Sequence, residues 1–410
     1  MAGDLIPVLH FSNEAVRGGA EEHMLMLLQQ LDRRRFRPFL VCPPECLQKL
    51  RPDLPADVTA VPLAFSSPAQ PRAALQFARI LRRERIGIVH SHMFHASLVA
   101  SPVAWMCRVP VIIETPHIRE AWRHGWLKGS YAVDRFAGRF VDRYIAVSEA
   151  NARYLAEEKK IPARKIRMIH NGCDLGRFDP RRAASPEAKR SLGFSEGDPV
   201  VLVLGRLEAQ KGHAVLLDAF RDVIKAVPDA RLVCAGEGRL RAQLQQQVAA
   251  LGLGDSVRFV GFQSNTPEWL AMANLTVLPS FFEGLPLVAI ESLAAGRPMV
   301  ATAVDGTTEV IVNEKTGLTV PPGNAGALAA AIIRVLKDSA LASAFASAGR
   351  TWALDHFSRE QQVRETEGLY LAAWETAGRQ PQSAGVATQL SSQPAGAPAA
   401  SAPKRVNARE

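Results

Sequence analysis

The chain has 410 residues, 47% hydrophobic and 22% charged, with a formal net charge of +9. That length exceeds the roughly 250–300 residues at which a single core stops growing, so two lobes are expected. No run approaches ~20 uninterrupted apolar residues and no basic-then-apolar leader opens the chain, which argues against membrane-spanning and secreted classes and for a cytoplasmic protein. The cysteines Cys42, Cys46, Cys107, Cys173 and Cys234 are odd in number and scattered. They read as reduced, partly buried thiols rather than a disulfide frame or a zinc site.

Ile6–Phe11 reads as a first parallel strand, with Pro7 tolerable at its start. Gly18 and Gly19 follow at the entrance to a helix beginning near Ala20, a strand–glycine loop–helix unit in which backbone approaches a ligand closely. The run GGAEE lacks the third glycine of a dinucleotide fingerprint, which leaves a generic anion or acceptor loop. Further strands are expected over 36–42, 86–90 and 109–114, with helices over 71–84 and 96–106. The last of these strands delivers His117 to the edge where α/β sheets hold their ligand crevice, and His90 and His92 are candidates there too.

The excess positive charge sits in the first half: residues 1–180 carry 26 Lys and Arg against 18 Asp and Glu. Such a surface suits anionic lipid or a phosphorylated acceptor, and no nucleic-acid signature accompanies it. Residues 119–140 interleave Trp122, Trp126, Tyr131 and Phe136 with Arg119, Arg123, His124 and Lys128. Membrane contact and ordinary packing both fit that pattern. A strand over 144–148 places Ser148 to cap a helix over 149–159. Residues 165–170 then lead to the turn Asn171-Gly172-Cys173-Asp174, which ends the first lobe, and the polar stretch 178–198 is the linker candidate.

The βα rhythm restarts with a strand over 200–204. Arg206 and Lys211 lie beyond its end and at the start of a helix, where two cations and free N–H groups can clamp a diphosphate. Strand 230–235 leads into AGEGRL, which turns Gly236 toward the same crevice. After strands over 257–261 and 275–278 comes SFFEGLPLVAIESLAAGRPMV, a Gly-Leu-Pro turn followed by a helix that stops at Gly296. Pro286 is expected in the first helical turn, with Glu283 in the loop before it and Glu291 inside the helix. Two carboxylates near free N–H groups suit the polyol and phosphate faces of a sugar nucleotide. A strand over 299–302 precedes the loop DGTTEVI, with Glu309 facing the site; helices over 325–336, 341–353 and 357–374 follow, and the composition beyond 378 is that of a disordered tail.

In their order and spacing these features resemble the retaining glycosyltransferases of family 4, which have the GT-B fold. The match covers residues 5–375. It rests on Gly18-Gly19, His117, Asn171-Gly172-Cys173-Asp174, Gly205-Arg206-Leu207 with Lys211-Gly212, Gly236-Glu237-Gly238, and FEGLPLVAIES with Glu283 and Glu291. The resemblance implies an α/β protein of two Rossmann-like domains facing across a deep cleft: an acceptor-binding domain over 1–180, a linker over 181–198, a nucleotide-sugar domain over 199–356, a crossover helix over 357–377 and a tail over 378–410.

The resemblance also implies that Arg206 and Lys211 bind the leaving diphosphate, Glu291 the ribose hydroxyls and Glu283 the donor-sugar hydroxyls. His117 would face the sugar from the acceptor side. Gly18 and Gly19 would lie under the phosphates, with backbone of Gly236, Gly284, Leu285, Pro286 and Leu287, and Glu309, completing the donor site. No cofactor is implied. With no Asp-x-Asp motif to bridge a metal, the cations stand in its place. The partners would be a UDP- or GDP-linked sugar and a lipid-linked or glycan acceptor, handled in the cytoplasm at the inner face of an anionic membrane. A sugar-nucleotide epimerase of the same build and a non-catalytic sugar-nucleotide-binding protein are the alternatives.

Overall fold

A computed structural model describes residues 5–119, 131–182 and 186–378. Trp122, Arg123, His124, Trp126 and Lys128 of the aromatic–cationic stretch, and the tail from 379, lie outside the described residues.

The first lobe is built on β1 (Ile6–Phe11), β2 (Phe36–Cys42), β3 (Thr59–Pro62), β4 (Ile88–His92), β5 (Val111–Thr115), β6 (Arg143–Ala146) and β7 (Ile166–Met168), in the order β3-β2-β1-β4-β5-β6-β7. The second uses β8 (Val200–Leu204), β9 (Arg231–Ala235), β10 (Val257–Gly261), β11 (Leu275–Leu278), β12 (Met299–Thr302) and β13 (Leu318–Val320), ordered β10-β9-β8-β11-β12-β13. Every pairing is parallel. Helices cover both faces, so central strands such as VVLVL are apolar throughout rather than alternating. Strand order reverses between β1 and β4 and again between β8 and β11. Ligands bind outside the carboxyl ends of strands at such reversals. The loops leaving β1, β5, β8 and β11 carry Gly18-Gly19, His117, Arg206 and Ser280–Gly284 to those edges.

The chain returns to the first lobe at its end. The helix Ser339–His356 packs on Leu287–Ala294 of the second lobe, and Ser358 then caps the helix Arg359–Thr376 by accepting from Gln361 N–H. Tyr370 and Trp374 of that helix are buried against Ile6, Val8, Ile88, Val111 and Ile113. The crossing is tight. A Cβ on Gly172 would stand 2.4 Å from the Ser358 carbonyl oxygen, and a Cβ on Gly87 2.5 Å from the Trp374 ring.

Several elements differ from the sequence reading. β3 is a half-exposed edge of four residues, and the helix Pro44–Leu50 hides behind a proline pair; neither is visible as periodicity. β4 begins two residues later than expected, because Arg85 adopts a left-handed φ of 49° and turns the chain first. The helix expected over 149–159 is α only through Glu149–Arg153 and continues as a π turn over Tyr154–Glu158. It ends where Lys159, buried, pairs with the buried Asp134 at 2.8 Å. Pro286 is the N-cap of Leu287–Ala294 rather than a residue of its first turn.

Candidate active site

The second-lobe half is organised by close backbone crossings. Gly212 (φ +65°) lies so near Pro279 that a Cβ would stand 2.0 Å from its carbonyl oxygen. This sets Lys211, at the start of the helix His213–Ala226, beside the loop leaving β11. Lys211 Nζ donates to Glu283 Oε1 at 2.6 Å, and Ser280 Oγ donates to the same oxygen at 2.6 Å. Glu283 N–H donates to Asp305 Oδ2 at 3.1 Å. The Lys211 and Glu283 side chains retain 17% and 6% of their exposure, so the pair is shielded but reachable. Arg206 is exposed nearby. Gly236 (φ +152°) packs where a Cβ would meet the Gly205 carbonyl oxygen at 2.0 Å, tying the ends of β8 and β9 together. Beside this junction lies a cavity of about 550 Å³ lined by Glu237, Gly238, Arg241, Phe259, Val260 and Gly261.

Glu291 lies half-buried, one helical turn past the start of Leu287–Ala294. Burial pushes its carboxyl up to about 7, against the pull of Arg177 and a hydrogen bond with Thr266. The first intrahelical bond runs from Ala289 N–H to Pro286 O at 3.0 Å, so the amides of Leu287 and Val288 precede it. Leu285 and Pro286 are buried and Leu287 half-buried.

The first-lobe half is a cluster of buried histidines. His10 Nδ1 lies 3.0 Å from His92 Nε2, and His92 Nδ1 lies 3.2 Å from His117 Nε2. His90 bonds Tyr370 and Thr115 through its two nitrogens, both at 2.6 Å. His23 Nδ1 bonds Asn171 Oδ1 at 2.8 Å. Burial lowers the pKa of each, to about 3 for His10 and about 4 for His23 and well below the usual range for His90, His92 and His117. The rings are therefore neutral. Among the described residues, ring nitrogens of His10, His90 and His92, and of His23, His92 and His117, come within 4.8 Å of one another, the only sets that can hold a metal ion. A divalent ion there would have to displace the bonds that already join these rings and would sit in a fully buried place.

The halves meet along one seam. Gly284 packs on the His117 carbonyl so closely that a Cβ would stand 1.7 Å from its oxygen. Asn171 Nδ2 donates to Leu285 O at 3.2 Å. The carboxylate of Glu309 accepts from Glu149 N–H at 2.9 Å, Ala150 N–H at 3.0 Å and His170 Nε2 at 3.1 Å. Burial raises this carboxyl, but His170 and the two amides outweigh that and hold it below the usual carboxylate range. Glu309 thus spends its carboxylate on the first lobe's Glu149–Arg153 helix. Gly18 N–H donates to Glu21 Oε2 at 3.1 Å, and Gly19 is exposed with nothing within 4 Å of a Cβ position.

Ser280, Asp305, His10 and His23 join the residues expected from the sequence, with Ser280 and Asp305 on Glu283 and His10 and His23 beside His92. Ser280, three residues before Glu283, was the available local signal; His10 meets His90 only through the β1–β4 register.

Comparison with known proteins gives this arrangement its relatives. The second lobe matches the family described as Glycosyl transferases group 1 over residues 184–352, and the first matches Glycosyltransferase Family 4 over residues 17–177. The glycogen synthase of Mycobacterium tuberculosis is 33% identical over 337 residues, covering 80% of this chain and 78% of that protein. An Escherichia coli UDP-Gal:alpha-D-GlcNAc-diphosphoundecaprenol alpha-1,3-galactosyltransferase is 24% identical over 306 residues, covering 73% of this chain and 79% of that protein. The crystal structure of Anabaena HepE in complex with UDP-glucose superposes with a TM-score of 0.77 at 19% identity, covering 90% of this chain and 100% of the other. With its two parallel-sheet lobes and returning C-terminal helix, the chain belongs to the glycosyltransferases of the GT-B fold.

Proposed function

We propose that this enzyme transfers a sugar, with retention of anomeric configuration, from a UDP-linked donor to a lipid-linked acceptor in the assembly of a cell-envelope glycan. The observation that carries the donor half is the Lys211–Glu283 pair at 2.6 Å, set beside exposed Arg206 at one cleft edge. In this reading Arg206 and Lys211 take the diphosphate, helped by the amides of Leu287 and Val288. Glu283, freed from Lys211, accepts from donor-sugar hydroxyls. Glu291 accepts from ribose, and the cavity beside Gly236 takes the base. Gly18 and Gly19 give the phosphates room from the first lobe, and Gly284, Leu285 and Pro286 line the sugar with backbone.

Breaking the sugar–phosphate bond leaves negative charge on the diphosphate, which the two cations stabilise more than they stabilise the intact donor. The acceptor hydroxyl attacks the face the diphosphate leaves, its proton passes to the departing phosphate oxygen, and the new glycosidic bond keeps the anomeric configuration. The UDP and lipid-diphosphate chemistry named for the HepE and Escherichia coli relatives supports this choice of partners.

A membrane face is part of the same reading. Trp105, Met106 and Phe136 are 58%, 61% and 57% exposed. Phe140 links them, at 5.4 Å from Trp105 and 5.6 Å from Phe136, and Arg108, Arg135 and Arg139 surround them at the surface. Apolar anchors ringed by arginines suit an anionic bilayer. Among the described residues no helix is long and apolar enough to cross one.

The test is a nucleotide-sugar panel read by donor-induced melting shift and by nucleotide release, with and without a polyprenyl-diphosphate sugar in detergent. One UDP-sugar that stabilises the protein and is consumed only with the lipid acceptor is the expected result. Conversion of the donor with no acceptor present would replace transfer by epimerisation.

A further inference from the structure

His10, His92 and His117 form one unbranched row. Each junction is a single nitrogen-to-nitrogen contact, 3.0 Å and then 3.2 Å, and all three rings are buried. A neutral imidazole carries one N–H and one lone pair, so each junction needs a donor on one side and an acceptor on the other. The proton position on any one ring therefore fixes the others. Only two arrangements exist, running in opposite directions.

The ends of the row distinguish them. At the far end His10 Nε2 is sealed from solvent and has no partner. If the row ran toward His10, that nitrogen would be a buried N–H with no acceptor; if it ran away, a lone pair with no donor. Orphaned buried N–H groups are the rarer and more costly case. At the other end His117 Nδ1 makes no hydrogen bond among the described residues and is not among the sealed atoms.

We propose that His10 and His92 are positioning residues that hold His117 in the Nδ1–H tautomer, so that this ring meets the substrate as a hydrogen-bond donor to a hydroxyl oxygen and not as a proton acceptor. His10 donates from Nδ1–H to His92 Nε2, and His92 from Nδ1–H to His117 Nε2. Both ring nitrogens of His92 are then occupied, and His117 has its lone pair spent inside the row. Neither His10 nor His92 touches the reacting atoms. The functional half of this inference rests on the reading that His117 faces the donor sugar; the tautomer itself does not.

The experiment is nitrogen NMR of the full chain labelled with 15N-histidine, in which protonated and bare ring nitrogens resonate far apart, with His117 assigned by comparison with His117→Gln. A protonated Nδ1 and bare Nε2 on His117 in the free protein is expected, and the reverse overturns the proposal without reference to any donor. In His10→Phe, which keeps a planar aromatic ring but removes the first donor, His117 should populate both tautomers. Turnover of UDP-glucose should then fall about tenfold, the worth of one hydrogen bond, while the UDP melting shift stays unchanged. His10→Asn, whose amide N–H takes the place of Nδ1–H, should restore both the single tautomer and the rate. A rate indifferent to a scrambled tautomer would remove the positioning role while leaving the donor site intact.

Discussion

Lys211 and Glu283, drawn from loops 72 residues apart, share a 2.6 Å ion pair with Ser280 on the same carboxylate oxygen. In the proposed reading a diphosphate draws the lysine from this partner, and the carboxylate then becomes available to sugar hydroxyls. The two residues should separate under substitution. Lys211→Ala leaves a buried carboxylate unpaired, so it should cost about 3–5 kcal/mol of stability along with nucleotide binding. Glu283→Gln keeps the fold and the UDP melting shift but should lower turnover by about 100-fold. A melting curve and a nucleotide-release assay on both variants check this. Equal loss of binding in the two would deny the division of labour.

Glu291 gives a pH signature. Its carboxyl is pushed up to about 7 by burial, which brings its ionisation into the neutral range. Ribose hydroxyls bond better to the ionised form, and donor binding should release a proton. Affinity should fall as pH drops below 7, by up to about tenfold per unit, and Glu291→Gln should flatten that dependence. Without ligand the sign is opposite. A folded pKa above the unfolded one gives a stabilising contribution that is full below the ordinary carboxylate range and lost as pH rises through about 7. Calorimetry in two buffers of different ionisation enthalpy, from pH 6 to 8, reads the proton release directly.

Much of this site was legible before the fold was known, because its parts are local. Lys211 before a glycine, Glu283 before Gly-Leu-Pro and Glu291 on the helix behind it each sit at a strand-to-helix junction, and such junctions are written in short stretches of sequence. Partnerships across the chain were not. Nothing local says that Lys211 rests on Glu283, that Asn171 bonds Leu285, or that Glu309 turns to amides of Glu149 and Ala150. His10 and His23 were invisible for the same reason. His10 is a single polar residue in an apolar run and His23 follows an acidic pair, and only the parallel register of β1 with β4 and the docking of the helix Gly19–Gln30 bring them to His92. β3 escaped because four half-exposed residues carry no period.

The exposed apolar face should respond to lipid. Trp105→Ala with Phe136→Ser removes two of its anchors and leaves Arg108, Arg135 and Arg139 in place. Sedimentation with vesicles containing anionic phospholipid should drop sharply in this variant, while UDP binding is unchanged. Removing the arginines should instead weaken binding by about 1 kcal/mol each at low ionic strength. Wild-type protein that ignores anionic vesicles would detach the membrane from the proposed function and leave the donor site standing.

Two glycines of the cleft offer a paired test of how the lobes meet. Gly284 lies against His117, where a Cβ would stand 1.7 Å from a backbone oxygen that no rotamer change can move. Gly284→Ala should therefore push the seam apart while each lobe keeps its own core, since the clash lies between lobes. A misplacement of about 1 Å between catalytic groups costs turnover on the order of 100-fold. Small-angle scattering should show a larger envelope for this variant, with secondary structure unchanged. Gly19 is the counterpart, exposed and with nothing within 4 Å of its Cβ position. Gly19→Ala should leave stability and envelope as they are, because its methyl meets no protein atom. If the diphosphate passes under this loop, the same methyl meets the phosphate instead, and the KM for UDP-glucose should rise with the fold untouched. An unchanged KM in Gly19→Ala would place the phosphates away from the first lobe, and an unchanged envelope in Gly284→Ala would mean that the seam yields without opening.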